Sequence, residues 1–399
     1  MTGRRSGRRA AGALLALALL AGTVSCGDGG RGSPAPGAAF QRVLDRQAAA
    51  VRDGDEGAYL ATVDPGARDR RRQVFRNLRR LPLATWTYDV TGVTGTTVEA
   101  RLRYRFKGYD RATTSAVEKL TFARRHGVWR VEGEAPGSAR QLWEQGGMSV
   151  VRGEHSLVLG VGRERSELRR LARTADEAVP AVLRHWPRAW SRRLVLEVPS
   201  SVKGLARLLG ESPSAYAGIA AVTTGEASGK GEPDAPSDRV LINPEAYGEL
   251  SAEGRQIVTT HEAVHVATRR QTTPATPMWL SEGIADWAAY RDAGQGPRQA
   301  APELAGSGAP PRALPTDADF RFGSGSDRLS RAYEGSWLAC RMIAEQWGEK
   351  RLLALYARAG KGGEKAERGG ADRALRAVLG IGEAEFTARW RAYVEDELG

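Results

Sequence analysis

The residues of this chain best able to act together chemically are His261, Glu262 and His265. They stand as H-E-x-x-H in the run Ile257-Val258-Thr259-Thr260-His261-Glu262-Ala263-Val264-His265-Val266-Ala267. Residues four apart on an α-helix lie one turn above another on the same face, so both imidazoles can reach one metal ion. Glu262 then points at the water such an ion holds. Apart from the glutamate and the two histidines, no residue from Ile257 to Ala267 carries a charge, as suits a helix running through the middle of a domain. The chain has five histidines, and none of the other three has a partner at ligand spacing. Its two cysteines, Cys26 and Cys340, are too few for a disulfide framework and too distant in sequence for a cysteine zinc cluster. A metal site in this chain must therefore use other ligands.

Downstream stands Pro277-Met278-Trp279-Leu280-Ser281-Glu282-Gly283-Ile284-Ala285-Asp286-Trp287, again with helical periodicity. The H-E-x-x-H and W-L-S-E-G-I-A-D segments together resemble the gluzincin zinc peptidases, in particular the peptidase MA-like branch, over roughly residues 150 to 399. The resemblance implies one Zn2+ per chain, held by His261, His265 and Glu282, with a fourth position left to water as a catalytic site requires. It implies Glu262 as general base. Asp286, one turn after Glu282, would accept the free N–H of a ligating histidine, His261. On a third helical stretch, Ser330 to Ala344, Tyr333 matches the tyrosine that donates its hydroxyl to the oxyanion in related enzymes. Cys340, among apolar residues, reads as a small core residue. The activity implied is hydrolysis of a peptide or protein substrate. No G-x-M-E-N type segment is present, so removal of single residues from a free amino terminus is not supported, and the choice between endo- and exopeptidase stays open.

Those residues need a frame. Ser149 to Val161 reads as a strand, Glu164 to Trp186 as a helix, Arg193 to Val198 as a strand and Val202 to Leu209 as a helix. Gly218 to Thr224 and Asp238 to Asn243 read as two further strands, the first expected at the sheet edge that would pair with an extended substrate. The connection through Thr273-Pro274-Ala275-Thr276-Pro277 is short and must turn tightly. Gln295 to Gly325, rich in Pro, Gly and Ala, is expected as a long irregular loop. Asp372 to Gly380 and Glu383 to Leu398 are expected as two closing helices. His155 is expected in a strand and His185 at a helix end.

Ahead of this region, Phe40, Val43, Leu44 and Val51 recur at helical spacing, Ala58 to Val63 suggests a second helix and Arg68 to Arg80 a third. Strands follow: Trp86 to Val93, Thr97 to Lys107, Val117 to Ala123 and Val128 to Glu132, the last pair turning at His126-Gly127. Val98, Ala100, Leu102, Tyr104 and Phe106 alternate with Glu99, Arg101, Arg103, Arg105 and Lys107, which predicts one buried and one wet face. Helices followed by a curved antiparallel sheet resemble the NTF2-like fold. The fold class expected is α+β, an NTF2-like domain followed by a mainly helical gluzincin-type domain with a small mixed sheet. The expected divisions are 1–26, 27–38, 39–135, 136–148 and 149–399, read as signal, tether, first domain, linker and second domain.

Residues 1 to 26 run from a basic stretch through an apolar one to small residues at Cys26, the layout of a secretory signal. Thr23-Val24-Ser25-Cys26 resembles a bacterial lipoprotein lipobox. That implies lipidation at Cys26 and a place on the outer face of the cell membrane, with a secreted protein as the alternative. Thr23 stands where that pattern usually has Leu. The net charge of +12 includes Arg4, Arg5, Arg8 and Arg9 of this segment, and only seven basic residues of the chain are Lys. The remaining arginines are scattered among acids and line no helix face, so no nucleic-acid partner is expected. A rival to peptidase action also fits the sequence: a catalytically inactive zinc-containing envelope lipoprotein that binds or adapts other proteins.

Overall fold

Phe40, Val43, Leu44 and Val51 form the buried face of helix α1 (Pro36–Asp53) in a computed structural model of the chain, which describes residues 36–224, 237–308, 311–321, 326–362 and 369–399. The expected signal, Cys26 and most of the tether lie outside the described residues, as do 309–310 and 322–325 of the expected loop. Among the described residues, no helix is long and apolar enough to cross a membrane. The chain is a mixed α+β protein.

Helices α2 (Glu56–Ala61) and α3 (Arg68–Leu78) follow, then strands β1 (Leu83–Thr94), β2 (Thr97–Phe106), β3 (Thr114–Arg125) and β4 (Val128–Glu134) in an antiparallel meander. Val98, Ala100, Leu102, Tyr104 and Phe106 of β2 are all buried, while Arg101 and Arg103 face outward, Arg103 pairing with Asp89 at 2.9 Å. At the β3–β4 turn His126 shares the left-handed backbone with Gly127, with φ of 50° and 79°, as a two-residue hairpin turn demands.

Ser149 to Val161 forms two strands where one was expected. β5 (Met148–Arg152) and β6 (Ser156–Val161) make a hairpin, and His155 sits in its turn. The cause is distant in sequence: the Asp176 carboxylate accepts from Glu154 N, His155 N and Ser156 Oγ at 2.8, 2.9 and 2.8 Å. Asp176 belongs to α4 (Arg165–His185), which crosses to β7 (Leu194–Val198), parallel to β6. After α5 (Val202–Leu209), the short strands β8 (Ala221–Thr223) and β9 (Val240–Ile242) complete a mixed sheet of order β5-β6-β7-β9-β8, with β8 at its edge.

Every residue of β6 and β7 is buried because both faces of this sheet are covered. Val158 and Leu196 pack with α4 and the later helices, whereas Leu157, Leu159, Val161 and Val195 join the core beneath the first sheet. The 136–148 connection is packed into that same core. Its Trp143 lies edge-on to Trp86 at 5.6 Å and to Tyr104 at 5.2 Å between ring centres.

The elements described after β9 are helices: α6 (Pro244–Glu249), α7 (Ala252–Thr268), α8 (Met278–Tyr290), α9 (Pro297–Ala300), α10 (Pro302–Ala305), α11 (Ser326–Gln346), α12 (Glu349–Ala359), α13 (Gly370–Leu379) and α14 (Glu383–Leu398). The segment expected as an irregular loop thus contains two helical turns, and the Glu334 carboxylate accepts from Glu303 N and Leu304 N at 3.1 and 2.7 Å. Helix α12 was not anticipated, although Leu352, Leu355, Tyr356 and Ala359 bury one face at helical spacing.

One buried charge cluster in the first sheet makes stability depend on pH. Glu118 of β3 is pushed up to about 8, first by burial and then by the negative charge of Glu144, with Arg71 opposing. Arg71 itself is spoken for by Glu134 at 2.8 Å. Between the ordinary value of 4.5 and about 8 the folded chain holds a proton that the unfolded chain has released, so stability falls as pH rises through that window. Glu118→Gln is expected to raise the thermal midpoint by several degrees at about pH 9 and to change it little near pH 5, read by calorimetry at both. Equal shifts at the two pH values would contradict this.

Candidate metal centre

Helix α7 starts at Ser251, whose hydroxyl accepts from Gly254 N at 3.0 Å and so satisfies one of the first-turn amides. Its middle is buried on most sides, and its polar residues find partners within the fold. Thr259 Oγ1 meets the Tyr247 hydroxyl at 2.9 Å, and Thr260 Oγ1 accepts from Gln256 Nε2 at 3.1 Å. His265 and Glu262 are buried, and His261 is nearly so.

The chain turns sharply after α7. Thr272 Oγ1 meets the Tyr356 hydroxyl at 2.7 Å, Thr273 Oγ1 donates to Gly360 O at 3.0 Å, and Thr276 N donates to Thr273 O at 2.9 Å. Gly360 is required here, since a Cβ on it would lie 2.0 Å from Gln271 O. Helix α12 thus clamps the connection, and α8 starts at once from Pro277.

Helix α8 carries Glu282 and Asp286 one turn apart, both buried. Helix α8 packs against α7, where Glu282 meets the two histidines, and it also crosses α11 in backbone contact at Gly283. A Cβ at Gly283 would stand 2.3 Å from Ser336 O and 2.7 Å from Cys340 Sγ. Cys340 is accordingly a packing residue, its thiol pushed well up first by burial and then by the Asp286 charge.

The structure brings His261, His265 and Glu282 together. One ligand atom from each lies within 4.8 Å of the others, a group that could hold a metal ion. Nε2 of His261 and Nε2 of His265 are 2.9 Å apart, and Glu282 Oε2 is 3.3 Å from the first and 3.4 Å from the second. Glu282 Oε2 is buried, and among the described residues no donor meets it in hydrogen-bond geometry. Burial opposes a charged Glu282, yet the imidazoles of His265 and His261 hold its carboxyl well below the usual carboxylate range. Burial also opposes a charged His261, and the Asp286 and Glu282 carboxylates outweigh it, keeping the ring well above the ordinary histidine value. The pocket calls for positive charge between these groups. A proton on an imidazole meets that demand, and so does a metal ion.

Asp286 Oδ1 is 2.7 Å from His261 Nδ1, on the ring edge away from the cluster, so it fixes which nitrogen faces inward. Glu262 stands beside the group and outside it; its Oε2 accepts from Thr223 Oγ1 at 2.5 Å. Tyr333 is half-buried with its ring centre 6.1 Å from that of His261, and Phe320 meets it edge-on at 5.5 Å. The 311–321 segment therefore borders the site, and Asp317 Oδ1 also accepts from Met278 N at 3.0 Å. Thr223 escaped the sequence reading. Its strand was legible, but nothing in the pattern said which side chain meets the glutamate.

A scan against protein-family models found no matching family, and a search of the curated proteins found no match.

Asp286→Asn, which weakens the hold on His261 Nδ1, is expected to lower metal affinity by about 10- to 100-fold, measured by competition with a chromogenic chelator. Unaltered affinity would sever Asp286 from the site. Gly283→Ala forces α8 and α11 apart at the glutamate and is expected to cost about 1–3 kcal/mol, read as a lower denaturation midpoint.

Proposed function

We propose that this chain is an exported zinc metallopeptidase of the gluzincin type, with an NTF2-like domain ahead of the catalytic one. The observation that carries the reading is the convergence of His261, His265 and Glu282, with Glu262 beside them and outside the ligand group. The donor set fits zinc. Tetrahedral bonds of ~2.0–2.1 Å place ligand atoms about 3.3 Å apart, and the three separations here are 2.9, 3.3 and 3.4 Å. Two imidazoles and one carboxylate leave a fourth position for water or substrate, unlike the four-ligand structural sites.

When bound, zinc supplies a Lewis acid for the scissile carbonyl and acidifies a water toward a pKa of about 7. Glu262 takes the proton of the attacking water and delivers it to the leaving amine. Helix α7 carries Glu262 directly after His261 in the chain. Asp286 holds His261 in one tautomer through Nδ1, so that its Nε2 presents a lone pair. The Tyr333 hydroxyl steadies the negative charge that develops on the carbonyl oxygen. Strand β8, at the edge of its sheet, is the strand that would pair with an extended peptide. Export and lipidation at Cys26 place this activity on the outer face of the membrane, and the substrate is a peptide or protein there.

Glu262→Gln is expected to abolish turnover while the metal content stays at one zinc per chain, because the residue assists the water and does not bind the ion. The zinc-loaded protein and this variant are compared on a diverse peptide library read by mass spectrometry. Cuts made by the native protein and missing from the variant support the reading. Equal cutting by both refutes the mechanism, and no cutting by zinc-loaded native protein favours the binding-protein alternative.

A further inference from the structure

Glu262 has a flexible side chain, and a general base must keep one oxygen aimed at the water while the other is held. The holding group comes from another element: Thr223, fully buried at the end of β8, donates its hydroxyl to Glu262 Oε2 at 2.5 Å. β8 has only three residues and lies at a sheet edge, so its own ladder fixes it weakly. That pairing is extended and anchored at the start of β9. Val240 pairs with Thr223, and next to it Arg239 N donates to Thr224 Oγ1 at 3.0 Å while Thr224 N donates to Arg239 O at 2.9 Å.

The side chains of Asp238 and Arg239 then tie this hairpin base to two separate parts of the molecule. Asp238 Oδ1 accepts from Arg269 Nε at 2.9 Å, at the end of the histidine helix. Arg239 reaches the opposite way, to the connection between β2 and β3 of the first sheet, where Nη1 and Nη2 donate to the two oxygens of Asp110 at 2.8 and 2.9 Å. Asp110 also accepts from Phe106 N at 2.7 Å, and the guanidinium lies over the Phe106 ring at 4.7 Å. Both partners are buried, and Glu197 of β7 stands 3.7 Å from Arg239 Nε. A paired, two-pronged and stacked arginine holds its backbone far more tightly than a surface ion pair does.

We infer that Thr223 is the positioning residue of the general base, and that the amino-terminal sheet, through Asp110 and Arg239, holds the strand that carries it. This rests on the peptidase reading of the site. The amino-terminal region is thereby part of the catalytic unit: without its grip on Arg239, β8 drifts from α7 and Glu262 loses its fixed orientation. A carboxylate that swings costs rate in the transition state and leaves substrate binding nearly alone.

The test uses the full zinc-loaded chain. Thr223→Val, which keeps the shape and removes the donor, is expected to lower kcat by roughly 10- to 100-fold with KM little changed and zinc content intact. Thr223→Ser restores most of the rate. The pair Asp110→Leu with Arg239→Met, made together with Glu197→Gln so that no buried carboxylate loses its cation, replaces the buried ion pair by apolar groups, an exchange that folds commonly tolerate. It is expected to lower kcat in the same manner, less than additively with Thr223→Val. It should also speed hydrogen exchange across residues 218–224, which is measured without substrate and independently of activity. Native protein that cuts no peptide overturns the peptidase reading and the role of Thr223 with it. Native protein that cuts, with Thr223→Val equally fast, overturns the positioning role alone. Unchanged exchange in the Asp110→Leu, Arg239→Met, Glu197→Gln protein overturns the grip of the amino-terminal sheet, whatever the activity.

Discussion

A buried carboxylate facing two imidazole nitrogens is the constraint on which the rest of this molecule depends. Glu282 lies among apolar helices, and among the described residues no donor meets its Oε2 in hydrogen-bond geometry. Such a group is costly unless positive charge sits against it. The fold therefore has to bring two helices together with little tolerance. Gly283 lets α8 press on the backbone of α11, and Gly360 with Tyr356 locks the turn between α7 and α8. Asp286 then sets the ring of His261 from behind. Each feature is costly or unneeded for a mere helical core, and each makes sense if a cation is to be held.

The same economy joins the two halves of the chain. β6 sends alternate side chains into both cores, so the second sheet is the floor of one and the wall of the other. A strand buried on both faces reads as an unbroken apolar run, and Ser156-Leu157-Val158-Leu159-Gly160-Val161 is such a run. The buried Asp110–Arg239 pair crosses the same boundary. The amino-terminal region is thus built into the molecule that carries the candidate centre.

Features set by short-range periodicity were legible in the sequence. The spacing of His261 and His265 puts both on one helix face, and the alternation along β2 chooses its buried side, because these follow from helix and strand geometry alone. What escaped was set by contacts between residues far apart. Asp176 makes a turn at Glu154 and His155 from one helix away in sequence, Glu334 supports the turn at Glu303 from the other end of an expected loop, and Thr223 meets Glu262 across two elements. Helix α12 is different: Leu352, Leu355, Tyr356 and Ala359 stand at helical spacing in the sequence itself. The convergence of Glu282 and Asp286 on the histidines lies between these cases, since the helices are readable but the seat of α8 also depends on distant contacts, with α11 at Gly283 and at the Gly360 clamp.

Zinc K-edge X-ray absorption on the purified chain reads the bound metal and its ligands together. Two imidazoles with oxygen ligands at ~2.0–2.1 Å and no sulfur are expected, with the imidazole signal altered in His265→Ala. A sulfur shell, a six-oxygen environment or a protein that retains no zinc would overturn the assignment of His261, His265 and Glu282 as its ligands.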